Sequence, residues 1–212
     1  MKIGLIGAGR LGLCLALLME KAGYSVIASD IRQDYITGLQ NKNIITTEPQ
    51  VSKYLAESSN IEFTTDNIEV IEKSDIIFTL VLTPSLEDGS YDVNNVDDVV
   101  SDILKYGWDK DLSDKSLVIG CTTNPGDCDF FQDRLSVTGM SVFYNPEFIA
   151  QGSVIKDLQN ADMVLLGGDG KHKGNLINLY KKIQHGYKEP SIHLMSTKAA
   201  EITKIAVNCF LT

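Results

Sequence analysis

At 212 residues, 43% of them hydrophobic and only five of them proline, the chain is long enough for one domain with a well-buried core. A formal net charge of −9 with no run of lysines or arginines repels phosphate backbones and anionic lipid, which argues against nucleic-acid and membrane partners. No apolar run approaches the ~20 residues of a bilayer span and no basic leader precedes the first strand pattern, so a cytoplasmic protein is expected.

Along the chain, short β-branched and apolar runs at 2–6, 25–29, 61–64, 76–80, 116–119, 141–144 and 163–166 predict strands that are buried on both faces. Helical periodicity fills the intervals at 10–22, 31–40, 49–57, 66–73, 93–105, 127–136 and 173–184, and a last helix begins near Ser196. Strand and helix in repeated alternation predict right-handed parallel crossovers, hence an α/β fold with a doubly wound, mostly parallel sheet and helices on both faces. Clusters of Gly and Asp at 86–92 and 167–171 mark loops. Cys14, Cys121, Cys128 and Cys209 lack metal-ligand spacing and the three histidines lie apart from them, so reduced thiols and no metal are expected.

The first strand runs straight into Gly7, Gly9 and Gly12, a G-x-G-x-x-G that opens a helix, and Asp30 closes the next strand. Gly7 permits the tight turn, Gly9 clears space for a pyrophosphate, and Gly12 lets helix and strand approach. The helix N-terminus supplies N–H donors to phosphates, and the Asp30 carboxylate accepts ribose hydroxyls while repelling a 2′-phosphate. The pattern is Rossmann-like and favours NAD over NADP. Arg32 would soften that preference, but two residues beyond the strand it is expected to face water.

Two further loops fall at strand ends, where such sheets bind ligands: Thr83-Pro84-Ser85 after one strand and Cys121-Thr122-Thr123-Asn124-Pro125-Gly126 after another. Their threonine hydroxyls suit cofactor or substrate oxygens, although Thr-Pro and Asn-Pro-Gly are also ordinary turn chemistry. Cys121 has no histidine near it in sequence and reads as structural. A later loop, Asn145-Pro146-Glu147-Phe148-Ile149-Ala150-Gln151-Gly152, offers Glu147 as a general base, or equally as a cap or ion-pair partner. In the last helix Glu201, Lys204 and Asn208 recur at helical spacing, so Lys204 and Asn208 share a face. The alternative is an ordinary helix that turns Lys198 and Glu201 to solvent and buries Ile202, Ile205, Ala206 and Phe210.

Together these blocks resemble the nucleotide-sugar 6-dehydrogenases, most closely those acting on UDP-glucose, across essentially the whole chain. The similarity is carried by GAGRLGLCLAL, with Arg10 and Leu11 at the usual tyrosine and valine, by LTPSLEDGS, CTTNPG and NPEFIAQG, and by the Lys204 and Asn208 helix. The resemblance implies a four-electron oxidation at carbon 6 of a nucleotide sugar with two NAD per turnover. In it Lys204 stabilises oxyanions, Asn208 hydrogen-bonds the sugar or a water, Thr122 positions a water, and Glu147 is the base. It further implies that residues 147–151 line the sugar, with Phe148 packing on it, and that Gly7, Gly9, Arg10, Leu11, Gly12, Asp30, Thr83, Thr122 and Gln151 contact the cofactor. UDP-N-acetylmannosamine and GDP-mannose are alternative substrates, and a non-catalytic NAD-binding module is the alternative of a different class.

Gln151 stands where the family usually has a glutamate, and Tyr35 where a lysine often contacts the adenosine. The family's nucleophilic cysteine belongs to a glycine-rich segment of a second domain that this sequence does not contain. The expected organisation is therefore an NAD-binding domain at 1–195 and the start of a connecting helix at 196–212, with a homodimer expected only together with the missing part. A natural short protein lacking the second half-reaction is the other possibility, and the apolar ending favours a fragment.

Overall fold

The computed structural model describes residues 1–149, 152–187, 189 and 191–211. In chain order it contains β1 (Lys2–Ile6), α1 (Arg10–Lys21), β2 (Ser25–Ser29), α2 (Gln33–Gln40), α3 (Val51–Glu57), β3 (Ile61–Thr64), α4 (Asn67–Lys73), β4 (Ile76–Thr79) and α5 (Asn94–Tyr106). Then come β5 (Ser116–Ile119), α6 (Asp127–Leu135), β6 (Ser141–Tyr144), α7 (Val154–Gln159), β7 (Val164–Gly167), α8 (Lys173–Ile183), β8 (Ile192–Met195) and α9 (Thr197–Leu211). The strands form one sheet in the order β3-β2-β1-β4-β5-β6-β7-β8.

Alternation along the strands divides the core between two faces. Ile3, Leu5, Val26, Ala28, Ile76, Phe78, Val118 and Phe143 point to the face covered by α1 and α8. Ile27, Ile77, Leu117, Ile119, Val142 and Tyr144 point to the other, where Val96, Val99, Val100 and Ile103 of α5 and Phe131 and Leu135 of α6 pack. Because both faces are covered, the central strands contain few polar residues, which is why they read as continuous apolar runs.

Every predicted strand and helix is present, with ends displaced by a residue or two. Two elements escaped prediction. The six residues of α7 fall short of two helical turns, and β8 is an edge strand with His193 and Leu194 exposed, so neither has a readable period. The sheet is mostly parallel, as expected: the pairings are parallel from β3 through β6, β7 meets β6 antiparallel through Tyr144 and Gly167, and β8 is parallel to β7. A parallel return needs a connection that carries the chain back along the sheet. Here the link is an irregular loop followed by α7, which at six residues is only about 9 Å long.

The order reverses direction between β1 and β4, and at that switch point the backbones nearly touch. Gly7 has φ +97°, and a Cβ there would lie 2.5 Å from the Leu80 carbonyl oxygen. A Cβ on Gly12 would lie 2.1 Å from the Gly7 carbonyl oxygen, so α1 rests directly on the turn that precedes it. Gly12→Ala is therefore expected to lower stability by about 3 kcal/mol, since backbone rather than a flexible side chain has to move. Urea denaturation will check this, and an unchanged midpoint would refute the contact.

Candidate functional site

In five adjacent parallel strands all the C-termini lie along one edge, so the sequence-predicted groups are set out in sheet order. Asp30 follows β2, Gly7 to Gly12 follow β1, Thr83 follows β4, Thr122 follows β5 and Glu147 follows β6. Four strand spacings separate the first from the last, about 19 Å.

At the β1 end, the Gly7 and Ala8 N–H groups both donate to the Ser29 carbonyl, at 2.9 and 2.8 Å, which ties the glycine turn to the residue before Asp30. A Cβ on Gly9 would meet nothing within 4 Å, unlike those on Gly7 and Gly12. Of these three glycines, only Gly9 faces open space. α1 has no side-chain cap and no acidic residue in its first turn, so its N-terminal dipole faces that space uncompensated. These residues fit a dinucleotide: an open backbone surface at Gly9, a helix N-terminus beside it, and a carboxylate one strand away. Arg10 lies at the mouth, with its guanidinium 3.9 Å from Glu48, and Leu11 turns inward against the core.

Arg32 faces water, as expected, but it is also paired. Its side chain is 57% exposed, yet it grips Asp30 with Nε to Oδ1 at 2.8 Å and Nη2 to Oδ2 at 2.9 Å. Exposed apolar side chains flank the same end of the sheet, Ile31 beside Asp30 and Leu82 beside Thr83.

Thr83 is half-buried in a loop closed by the Ser85–Tyr91 bridge and braced by Asn95 Nδ2 donating to the Leu82 carbonyl at 2.8 Å. Asn124 joins this loop to the next, accepting from the Tyr91 N–H at 2.8 Å and donating to its carbonyl at 2.9 Å. Thr122 is half-buried and makes no side-chain hydrogen bond to the described residues. Burial pushes the thiols of Cys121 and Cys14 up to about 12, so neither supplies a thiolate near neutral pH.

The alternative orientation of the last helix is excluded. Glu201 is fully buried and accepts from Thr123 Oγ1 at 2.9 Å, the Gly126 N–H at 2.6 Å and the Cys128 N–H at 2.9 Å. Ile202 is 52% exposed, Phe210 is 94% exposed and Ala206 is exposed. The polar stripe faces the protein and much of the apolar one faces out. One turn beyond Glu201, Lys204 Nζ donates to the Glu147 carbonyl at 2.6 Å and lies 4.7 Å from the centre of the Phe148 ring. Burial lowers the Lys204 ammonium below its usual range. Asn208 is half-buried on the same face and makes no side-chain hydrogen bond to the described residues.

Glu147 is the most perturbed carboxyl of the site. Burial raises it to about 7, opposed by the Tyr180 hydroxyl, which donates to Oε1 at 3.3 Å, and by the charge of Lys204. Tyr180 also donates to Asn145 Oδ1, and Asn145 Nδ2 donates to the Leu165 carbonyl at 2.8 Å, so β6 and β7 hold the start of the loop rigidly. Ile149 packs against the core, while Ala150 and Gln151 lie outside the described residues.

Glu48, which sequence reasoning passed over, and Glu201, whose backbone partners it did not name, complete the site. Glu48, only 4% exposed, accepts from the Gly152 N–H at 2.9 Å and the Val154 N–H at 3.2 Å, fastening the far end of the Glu147 loop. Glu201 fastens the Thr122 loop to α9. For Glu48 the available signal was an acidic residue before Pro49 in a stretch too irregular to need one. For Glu201 it was the stripe that also contains Lys204.

The raised Glu147 group has a consequence for stability. Its folded-state value, about 7, lies above the ordinary 4.5, so it favours folding below the ordinary value and loses that contribution as pH rises through 7. Glu147→Gln is expected to match wild-type stability near pH 4.5 and to exceed it above pH 7 by on the order of 3 kcal/mol. Denaturant midpoints across that range will decide it, and parallel profiles would show that the carboxyl is not desolvated.

Residues 1–184 match the UDP-glucose/GDP-mannose dehydrogenase family, NAD binding domain. Among curated relatives, the UDP-glucose 6-dehydrogenase of Rickettsia prowazekii is 31% identical over 218 residues, covering 100% of this chain and 49% of that protein. Among solved structures, GDP-mannose dehydrogenase from Pseudomonas aeruginosa superposes with a TM-score of 0.84 at 23% identity, covering 99% of this chain and 50% of that one. UDP-D-ManNAc dehydrogenase from Pyrococcus horikoshii superposes with a TM-score of 0.85 at 24% identity, again over 99% and 50%. The chain spans about half the length of these proteins. With its glycine turn, its open Gly9 and its eight-stranded sheet, the chain belongs to the UDP-glucose/GDP-mannose dehydrogenase family and carries that family's NAD-binding domain.

Proposed function

We propose that this chain is the cofactor-binding half of an NAD-dependent oxidoreductase that converts the carbon-6 alcohol of UDP-glucose to the carboxylate, giving UDP-glucuronate. The observation that carries the proposal is the contact between Lys204 and the Glu147 loop. A partly desolvated ammonium lies against a loop whose carboxyl is raised to about 7, at the end of the edge where the dinucleotide's reactive ring is expected. A cation held in a region of low dielectric stabilises developing alkoxide charge far more than one in water. A carboxyl raised to about 7 suits proton abstraction near neutral pH.

When bound, NAD would supply the hydride acceptor, two molecules per turnover for the four-electron oxidation. The chain's residues prepare the alcohol for it: Lys204 stabilises the oxyanion at carbon 6, Asn208 hydrogen-bonds the sugar or a water, and Thr122 positions a water. Glu147 takes the proton from the water that releases the acid, while the backbone of 147–151 and the Phe148 ring line the sugar. Gly7, Gly9, Gly12 and the first turn of α1, with Arg10 and Leu11, hold the pyrophosphate, and Asp30, Thr83 and Gln151 hold the riboses. The nucleophilic cysteine belongs to a second domain joined through the helix begun by residues 196–212. UDP-glucose is preferred because several curated relatives that cover the whole of this chain bear that name. UDP-N-acetylmannosamine and GDP-mannose are the competing substrates in the assay.

In the complete enzyme, Lys204→Ala is expected to lower kcat with UDP-glucose by about 100-fold, the equivalent of losing one oxyanion partner, while the NAD dissociation constant stays unchanged. Unchanged turnover would remove the assignment, and turnover only with another nucleotide sugar would move the substrate. Gly9→Ala, which strains nothing in the fold, is expected to weaken NAD binding at least tenfold in calorimetry at constant melting temperature. Equal NAD affinity would show that the pyrophosphate lies elsewhere.

A further inference from the structure

Asp30 is positioned to receive an adenosine ribose, but in this structure both of its oxygens are already engaged. Arg32 holds them in a two-pronged bond at 2.8 and 2.9 Å, and the Arg32 N–H adds a third at 3.1 Å to Oδ1. The geometry is more than two flexible side chains meeting in water. The Arg32 guanidinium lies 4.3 Å from the centre of the Tyr35 ring, and Tyr35 is itself half-buried against the core, so the cation has a fixed platform. The carboxylate side chain is only 9% exposed while the guanidinium is 57% exposed, so the face presented to a ligand here is largely cationic. In a chain of 19 basic and 28 acidic residues, a cation at this edge is a local device.

We propose that Arg32 selects the cofactor: the ribose site accepts a 2′-phosphorylated dinucleotide as well as NAD, with the Arg32 guanidinium meeting the phosphate. The inference rests on the NAD assignment and extends it. A lone carboxylate at the end of β2 rejects a 2′-phosphate by charge repulsion. Paired with Arg32, Asp30 no longer presents an uncompensated negative charge. A guanidinium carries five N–H donors, and the pair with Asp30 uses two of them. Those that remain match a phosphate in planarity and spacing, which an ammonium would not. For NAD, the carboxylate oxygens keep unused lone pairs for the ribose hydroxyls, so the pair does not exclude the unphosphorylated cofactor.

Calorimetry of the chain with NAD and with NADP, each at low and at raised salt, tests this in wild type, Arg32→Ala and Arg32→Lys. The expected wild-type result is NADP binding no more than about thirtyfold weaker than NAD, with the NADP affinity falling more steeply with salt. Arg32→Ala should weaken NADP at least about tenfold, the size of a charge-assisted hydrogen bond, and NAD by less than about threefold, with Arg32→Lys between the two. Arg32 is exposed and the core does not depend on it, so an unchanged melting temperature will accompany each variant. NAD heat without NADP heat in wild type overturns the inference and leaves the NAD assignment standing, as does NADP binding indifferent to Arg32→Ala. Heat from neither dinucleotide in folded protein overturns both.

Discussion

The placement of Glu201 is the constraint on which the candidate site depends. A carboxylate with no exposure to water is costly unless each oxygen is satisfied, and here Thr123, Gly126 and Cys128 converge on it from the loop after β5 and the start of α6. That requirement fixes the rotation of α9 about its axis. Given the rotation, Lys204 and Asn208 follow on the inward face by helical geometry, and Ile202 and Phe210 are left outside. Satisfaction of the Glu201 carboxylate sets that rotation, and Lys204 reaches the Glu147 loop as a result.

Glu48 makes the matching constraint on the other side of that loop. It reaches across more than a hundred residues of sequence to the N–H groups of Gly152 and Val154, while Tyr180 and Leu165 hold Asn145 at the near end. The segment that contains Glu147 and Phe148 is thus fastened at both termini, and Lys204 bonds its middle. A loop held this way can keep a carboxyl desolvated without collapsing around it, which is the physical origin of the raised Glu147 group.

Which parts of this were legible in the sequence follows from the range of the interactions. The β1 to β2 unit was readable because the turn, the helix start and the acidic partner are local, and each glycine has its own steric reason. The buried strands were readable because a sheet covered on both faces needs apolar residues at every position. β8 and α7 were not, since an edge strand and a helix of fewer than two turns leave no period behind. The antiparallel β7 was hidden for a different reason: alternation of elements does not say how far a connection travels. Lys204 and Glu147 were nameable from their motifs, but the capping roles of Glu48 and Glu201 were not, because the donors they satisfy are backbone groups far away in sequence. The exposure of Arg32 was readable from its place two residues beyond β2, but its two-pronged bond to Asp30 was not.

The same accounting of carboxylates explains where an anionic cofactor goes in an acidic protein. Each parallel strand from β1 to β6 delivers the chain to a helix whose N-terminus points at the ligand edge, and almost all of those termini meet a carboxylate of the chain itself. Asp30 accepts from the Arg32 N–H before α2, Asp66 caps α4, Asp92 accepts from the Asn94 N–H at α5, Glu201 serves α6 and Glu48 serves α7. α1 alone among them has neither a side-chain cap nor an acidic residue in its first turn. Its dipole and its backbone donors stay available at the point where Gly9 leaves the surface open. A net charge of −9 therefore does not work against pyrophosphate binding here; the chain's own anions compensate the other helix starts that follow β2 to β6 and leave the α1 N-terminus as the one along that edge where a foreign anion is favoured.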